Sequence, residues 1–347
     1  MQIVPASALI EISKNYLGHR SRREDSWVWH SGDGKGKGGA IPFAVSALYR
    51  GQNTRHMPML ASIARGLQST DIVKIFEASI PDQAKIVLRL TQSWWFGKEL
   101  TRHPIFNHAA SQNLDLTEIA LAQHYGISTG YLDLSDDFNV SAFFATCRET
   151  TEGWQPVDSG VGVIYRVNLR KTENTFESYI PLGPQKLPRP YEQCAWVVEM
   201  PFCRGFEGWP SVEMLSFHHD RHVGKHFLEM FEGGAQLFPP DPLADIAEEI
   251  LSCGEIPVDL VDAALKSFSS DPCGILASDL PAVRKEISSL ASQIGYRQLL
   301  TDLHVAPLLA DQEWVEKMLG TVKANAVAVR RVQIPQDTAK SERDISP

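Results

Sequence analysis

Residues 121–146 read LAQHYGISTGYLDLSDDFNVSAFFAT, and the order of side chains along them decides the expected fold. A helix end carrying Gln123, His124 and Tyr125 meets Gly126, hydroxyls Ser128 and Thr129 precede Asp133, and Val140 to Cys147 regain an apolar face. Between His124 and Ser135 the composition turns to Gly, Ser, Thr and Asp, which predicts a loop entering a short strand or turn, followed by a helix. This stretch suits two roles. The groups from Gln123 to Asp133, with the Ser128 and Thr129 hydroxyls, can bind a ribose and an amide, or Ser128, Asp133 and Ser135 can cap turns and the next helix, their commonest use.

Upstream, Ile41 to Arg50 is an apolar run with β-branched and aromatic residues, predicted as a buried strand ending at Arg50. The tetrad Tyr49–Arg50–Gly51–Gln52 puts a fixed cation at that strand end, with a glycine where the backbone can come close to a ligand such as a phosphate. The alternative is an arginine paired with an internal carboxylate. Helical spacing marks Ala6 to Leu17, Trp27–Val28–Trp29 alternates like a strand, and Ser31 to Gly39 is glycine-rich. Helical patterns dominate from Met59 to Ala122, with Trp94–Trp95–Phe96 as a core plug. Downstream, Gly160–Asn168 (GVGVIYRVN) and Ala195–Met200 read as strands, with a proline-rich connection over Pro181–Pro190. These textures divide the chain into an N-terminal helix and loop (1–39), a core (40–208), a mainly helical region (209–332) and a polar tail (333–347).

With 347 residues, 43% of them hydrophobic, the chain can bury a sizeable core. Its start, Met-Gln-Ile-Val-Pro, carries no basic n-region or secretory h-region, so a cytoplasmic location is expected. The longest apolar stretch, Ala40 to Tyr49, is about half of the roughly 20 residues that a membrane-spanning helix requires. Five cysteines with no CxxC pairing fit reduced thiols rather than a disulfide framework or a cysteine-built zinc site. A net charge of −9 argues against coating nucleic acid through bulk charge, although Arg20, Arg22, Arg23, Lys35, Lys37, Arg330 and Arg331 can supply local basic patches.

Two motifs are weaker than their letters. Gly34-Lys-Gly-Lys-Gly-Gly39 satisfies GxGxxG, but Pro42 and a strand-like run follow where a dinucleotide loop needs a helix. His218, His219 and His222 with Asp220 have spacing that can share a helix face, yet HEXXH is absent and no third ligand is identifiable.

The two segments Tyr49–Gln52 and Leu121–Ala145 resemble the FRG-domain family. Its pattern runs through an aromatic-Arg-Gly start (Tyr49, Arg50, Gly51), Ala-Gln-His-Tyr-Gly (Ala122 to Gly126), a threonine (Thr129), Leu-Asp (Leu132, Asp133) and paired phenylalanines (Phe143, Phe144). A later arginine and glutamine resemble Arg189 and Gln193. Gly130 and Leu134 depart from the family's usual basic residue and tryptophan. The element order is also similar to that of ADP-ribosyltransferases of the Arg, Ser-Thr, Glu type.

That second resemblance implies an α/β (α+β) mixed-sheet core with helical insertions and NAD as a substrate, with no metal. Arg50, Gly51, Gln52, His124, Tyr125, Ser128 and Thr129 would bind it. Catalysis would rest on Arg50 with Glu192 or Gln193, with Glu199 and Glu213 as rival carboxylates. The implied function is a toxin-like effector modifying single-stranded RNA or DNA, or protein, with a neutralising antitoxin partner. Tyr125, Tyr131 and Trp196 would be available to stack on a base. The competing function is a non-catalytic nucleotide- or nucleic-acid-binding module. A hydrolase built on His124 and Asp133 fits less well, since no GxSxG elbow is present.

Overall fold

A computed structural model describes residues 3–16, 27–30, 39–42, 45–68, 74–111, 116–169, 179–182, 187–200 and 205–319. The chain opens with β1 (Ile3–Val4), α1 (Ser7–Asn15) and the hairpin strands β2 (Trp27–His30) and β3 (Gly39–Pro42). β4 (Ala47–Gln52) precedes a helical stretch of α2 (Ile80–Leu100), α3 (Pro104–Ser111) and α4 (Glu118–His124). Next come β5 (Tyr131–Ser135), α5 (Phe138–Thr146), β6 (Cys147–Thr150), β7 (Gly153–Pro156), β8 (Val161–Asn168) and β9 (Tyr179–Pro181). A short α6 (Pro188–Glu192) leads into β10 (Ala195–Glu199) and β11 (Val212–His218). The remainder is mostly helical: α7 (Arg221–Met230), α8 (Pro242–Ser252), β12 (Glu255–Pro257), α9 (Val258–Ser270), α10 (Leu280–Leu290), β13 (Ser292–Ile294), α11 (Asp302–Ala310) and α12 (Gln312–Met318).

Seven strands form one mixed sheet in the order β1-β11-β8-β4-β5-β10-β9, antiparallel except for the β1–β11 pair. The sheet draws β1 from segment 1–39 and β11 from segment 209–332, so it extends beyond the 40–208 stretch. The apolar run expected as one strand over Ile41–Arg50 is divided between β3 and β4, and β4 continues to Gln52. The short strand or turn expected within the Gly, Ser, Thr and Asp-rich stretch is an interior strand, β5, whose alternate residues Leu132 and Leu134 enter the core. The glycine-rich residues 31–38, the basic residues named above, Cys203 and the tail lie outside the described residues. Cys147, Cys194, Cys253 and Cys273 are free thiols.

Strand alternation sends Leu48, Leu132, Leu134, Val163, Tyr165, Val167, Trp196 and Val198 to one sheet face, where they pack with residues of α2, α9 and α10 in a single apolar cluster. The other face is divided. Ala195 and Val197 join α2, α4 and α8, whereas Ile164 and Phe217 join α1, α5 and α7. Between these two clusters Asp133 and Ser135 leave the sheet, so a polar seam separates them.

α5 fixes the geometry of β4. Its N-cap Asp137 accepts from Asn139 N at 2.8 Å, a bond of a kind that contributes about 1 kcal/mol. The helix then lies so close to the sheet that a Cβ on Gly51 would stand 1.7 Å from the Ser141 carbonyl oxygen. Only glycine admits that approach. Among the described residues no helix is long and apolar enough to cross a membrane.

Candidate functional site

β4 and β5 are paired at a single position, Tyr49 opposite Ser135, and beyond it the two strands are not laddered. Arg50 and the residues of β5 before Ser135 therefore lose their backbone partners across this gap, and a side chain takes over. The Arg50 guanidinium, 12% exposed, donates through Nη1 to the Asp133 carbonyl at 2.7 Å and lies 3.9 Å from Asp133 Oδ2. The alternative reading of Arg50, pairing with an internal carboxylate, thus describes its resting contacts. Burial pushes the Arg50 pKa down to about 10, with Asp133 opposing and a second guanidinium, Arg65, adding to the fall. Arg65 is lowered by desolvation too, again with Asp133 opposing, so two cations face one carboxylate.

Asp133 is the hub. Gln123 Nε2 donates to its Oδ2 at 3.4 Å, and His124 Nε2 lies 3.4 Å from its Oδ1. The His124 ring, 3% exposed, meets Gln193 Oε1 through Nδ1 at 3.1 Å. Gln193 Nε2 in turn donates to the Leu237 carbonyl at 3.1 Å, and the Gln193 carbonyl accepts from Ser135 Oγ at 2.8 Å. The turn holding Gln193 runs through Cys194 at φ +50°, a left-handed conformation that costs a non-glycine residue about 1 kcal/mol or more. On the other side, Gln123 Oε1 accepts from both Thr129 Oγ1 and Ser62 Oγ at 2.7 Å, and Thr129 N donates to Ser62 Oγ at 2.9 Å. A continuous polar chain therefore joins Arg50, Asp133, His124 and Gln193, with a branch through Gln123 to Thr129 and Ser62.

Some buried polar atoms in this chain have no hydrogen-bond partner: Arg50 Nε, Gln52 Oε1, His124 Nε2 and Asp133 Oδ1. Buried polar atoms without partners are uncommon and each costs about 1–3 kcal/mol. Asp133 is also a third exposed, at 33%, so the hub reaches solvent.

Of the residues expected at the site, Arg50, His124, Thr129 and Gln193 are brought together. Tyr125 is not with them. Its ring is buried against Phe96, and its hydroxyl donates to Asp241, because consecutive helix positions point about 100° apart. Glu192 is half-buried at the end of α6. Ser128 is half-buried beside Thr129. Gly51 turns its open side to α5 rather than to a ligand, which corrects the reason for the glycine. Trp196 is not available for base stacking, being buried with Nε1 on Asp136 Oδ2 at 3.1 Å, and Tyr125 is unavailable for the same cause.

Glu213 lies on the surface with Arg166 at 2.8 Å, and Glu199 stands opposite Tyr131 across β10 and β5. His219 Nε2 contacts the Asn53 carbonyl at 2.7 Å, and Asp220 caps α7. Among the described residues no group of three His, Cys, Asp or Glu side chains is placed to hold a metal ion. Sequence reasoning missed Ser62, which no local pattern marks. It also gave Asp133 only a minor part, although the Leu-Asp pair signalled it.

Among known families, residues 45–153 fit the sequence pattern described as the FRG domain. That span contains β4, Ser62, α4, β5 and α5, and hence every member of the polar chain except Gln193. No curated protein and no solved structure matches the chain.

Proposed function

We propose that this chain, whose residues 45–153 match the FRG-domain pattern, is an NAD-consuming ADP-ribosyltransferase acting as a toxin-like effector on a nucleic-acid or protein acceptor. The observation that carries the reading is the Asp133 carboxylate. It stands at the gap between β4 and β5, its Oδ1 facing His124 Nε2 at 3.4 Å without a hydrogen bond and the charges of two arginines, Arg50 and Arg65, acting on it.

Cleavage of the nicotinamide–ribose bond sends the bonding pair to the departing nicotinamide and leaves positive charge on the ribose. A carboxylate fixed beside that carbon stabilises the charge as it develops. The acceptor's nucleophilic oxygen or nitrogen then bonds to the ribose carbon and passes its proton to solvent, which reaches the part-exposed Asp133. Arg50 and Arg65 suit the diphosphate, since guanidinium donors match phosphate oxygens in pairs. Arg50 Nε adds a donor with no partner in the resting chain. Gln123 and Thr129 suit the amide and ribose hydroxyls. Gln193 and His124 hold Asp133 in place rather than reacting, and Asp133 replaces Glu192 as the proposed carboxylate. An antitoxin partner follows from the toxin-like reading, because unrestrained transfer would harm the producing cell.

A second reading has its own support. Arg50 is already engaged by Asp133, and a cation held by such a contact suits a non-catalytic nucleotide-binding module equally well. Nicotinamide release from NAD by the purified chain separates the two. The proposed enzyme releases nicotinamide, Asp133→Asn and Arg50→Lys each cut the rate by about a hundredfold or more, and far-ultraviolet circular dichroism stays unchanged. NAD binding without release by the unaltered chain would leave the module. Mass spectrometry of RNA, DNA and protein from expressing cells identifies the acceptor by an added ADP-ribose.

A further inference from the structure

A groove of about 390 Å³ lies away from the Arg50 network, lined by Tyr125, Arg189, Ala244, Asp245, Glu248, Leu251 and Ser252. Its size falls within the range of small-ligand sites. Arg189 projects from α6, and its guanidinium carbon sits 5.4 Å from the Tyr125 ring centroid and 5.7 Å from that of Phe238. Two aromatic faces hold this cation by its π-surfaces, which fixes the plane of the guanidinium. Arg189 Nε is buried without a hydrogen-bond partner.

The nearby buried carboxylate does not fill that vacancy. Asp241 feels the Arg189 charge, but its oxygens are taken by the Tyr125 hydroxyl and by Leu243 N, which caps α8. The opposite wall is one face of α8. Asp245, Glu248 and Ser252 follow at helical spacing and are exposed, with Leu251 apolar and 44% exposed beside them.

We propose that this groove between α6 and α8 binds a small amphoteric molecule of the basic amino-acid class. Its carboxylate takes the Arg189 fork, its cationic groups face Asp245 and Glu248, and its aliphatic stem lies on Leu251 and Ala244. One fixed cation facing two carboxylates complements a ligand with one carboxylate and two cations. The same arrangement disfavours a phosphate dianion, which gains one arginine and meets two like charges. The assignment is independent of NAD chemistry, although α6 joins both places: the Gln193 amide donates to the Arg189 carbonyl at 3.0 Å.

Titration calorimetry on the full chain tests it with four probes: L-arginine, agmatine, L-glutamate and inorganic phosphate. L-arginine should bind saturably, and agmatine, which lacks the carboxylate, should bind at least about tenfold more weakly. L-glutamate and phosphate should give no saturable heat. Arg189→Gln should remove L-arginine binding. Glu248→Gln, at an exposed position outside the core, should weaken it severalfold and guards against loss through misfolding. Absence of saturable L-arginine binding, equal affinity for agmatine, or tighter binding of phosphate would overturn the assignment.

Discussion

β4 meets its two neighbours in different ways. Against β8 it is laddered from Ala47 opposite Asn168 to Gln52 opposite Val163, so the backbone itself closes the junction. Against β5 it is laddered only where Tyr49 faces Ser135, and past that point the tie is made by Arg50 and Asp133. A ladder of backbone bonds tolerates most side chains and offers a ligand nothing to replace. A junction closed by one guanidinium and one carboxylate depends on two residues, and each can exchange its partner for a charged ligand. The contrast locates the candidate site in the weaker of the two junctions.

The largest expected effect breaks the contrast from below, by removing the helix that backs β4. Gly51→Ala places a methyl where the Ser141 carbonyl stands, and the backbones of β4 and α5 must separate. Urea denaturation should show a loss of more than about 3 kcal/mol. Unchanged stability would mean that α5 does not set the path of β4.

Acid should strike elsewhere. His103 is buried at the corner between α2 and α3, its ring edge-on to Trp314 of α12, and burial lowers its pKa from 6.5 to about 4. Between those values the unfolded chain binds the proton and the folded chain does not. The contribution is complete above pH 6.5 and is lost as pH falls through about 4, amounting to about 3 kcal/mol. Stability measured across this range should fall for the natural chain and stay flatter for His103→Phe. Trp314 fluorescence should respond first, with both β4 junctions intact.

At the weak junction itself, Arg50→Ala leaves the Asp133 carbonyl without its donor and the carboxylate without its nearest cation. Asp133 is partly exposed, so the loss should be about 2 kcal/mol rather than that of a fully buried pair. Denaturation midpoints check this value. The smallest stability effect belongs to Asp133→Asn. It keeps the backbone carbonyl that accepts from Arg50 and should cost about 1 kcal/mol, while nicotinamide release collapses. Full activity in this variant would remove Asp133 from the chemistry.

The legible parts of the fold are those where one period runs uninterrupted. β8 was readable in GVGVIYRVN and α5 in the apolar helix after Asp137. β5 was legible only as a short strand or turn, because five residues bounded by glycine and aspartate carry too little alternation to choose between the two. β11 was not legible, because its residues run into a polar, histidine-rich end at His218. For the site, residue type pointed correctly to Arg50, His124, Thr129 and Gln193 as neighbours. Direction along a helix was the missing information, which is why Tyr125 turned into the core. Ser62 reaches Thr129 across the fold, a contact that no local spacing encodes.

Backbone amide shifts recorded while NAD is titrated into the full chain address the weak junction most directly. The account predicts saturable changes centred on Arg50 to Gln52 and Leu132 to Leu134, with the β4–β8 ladder at Val163 to Val167 nearly still. Changes absent from the β4–β5 gap, or spread equally over the ladder with β8, would contradict it.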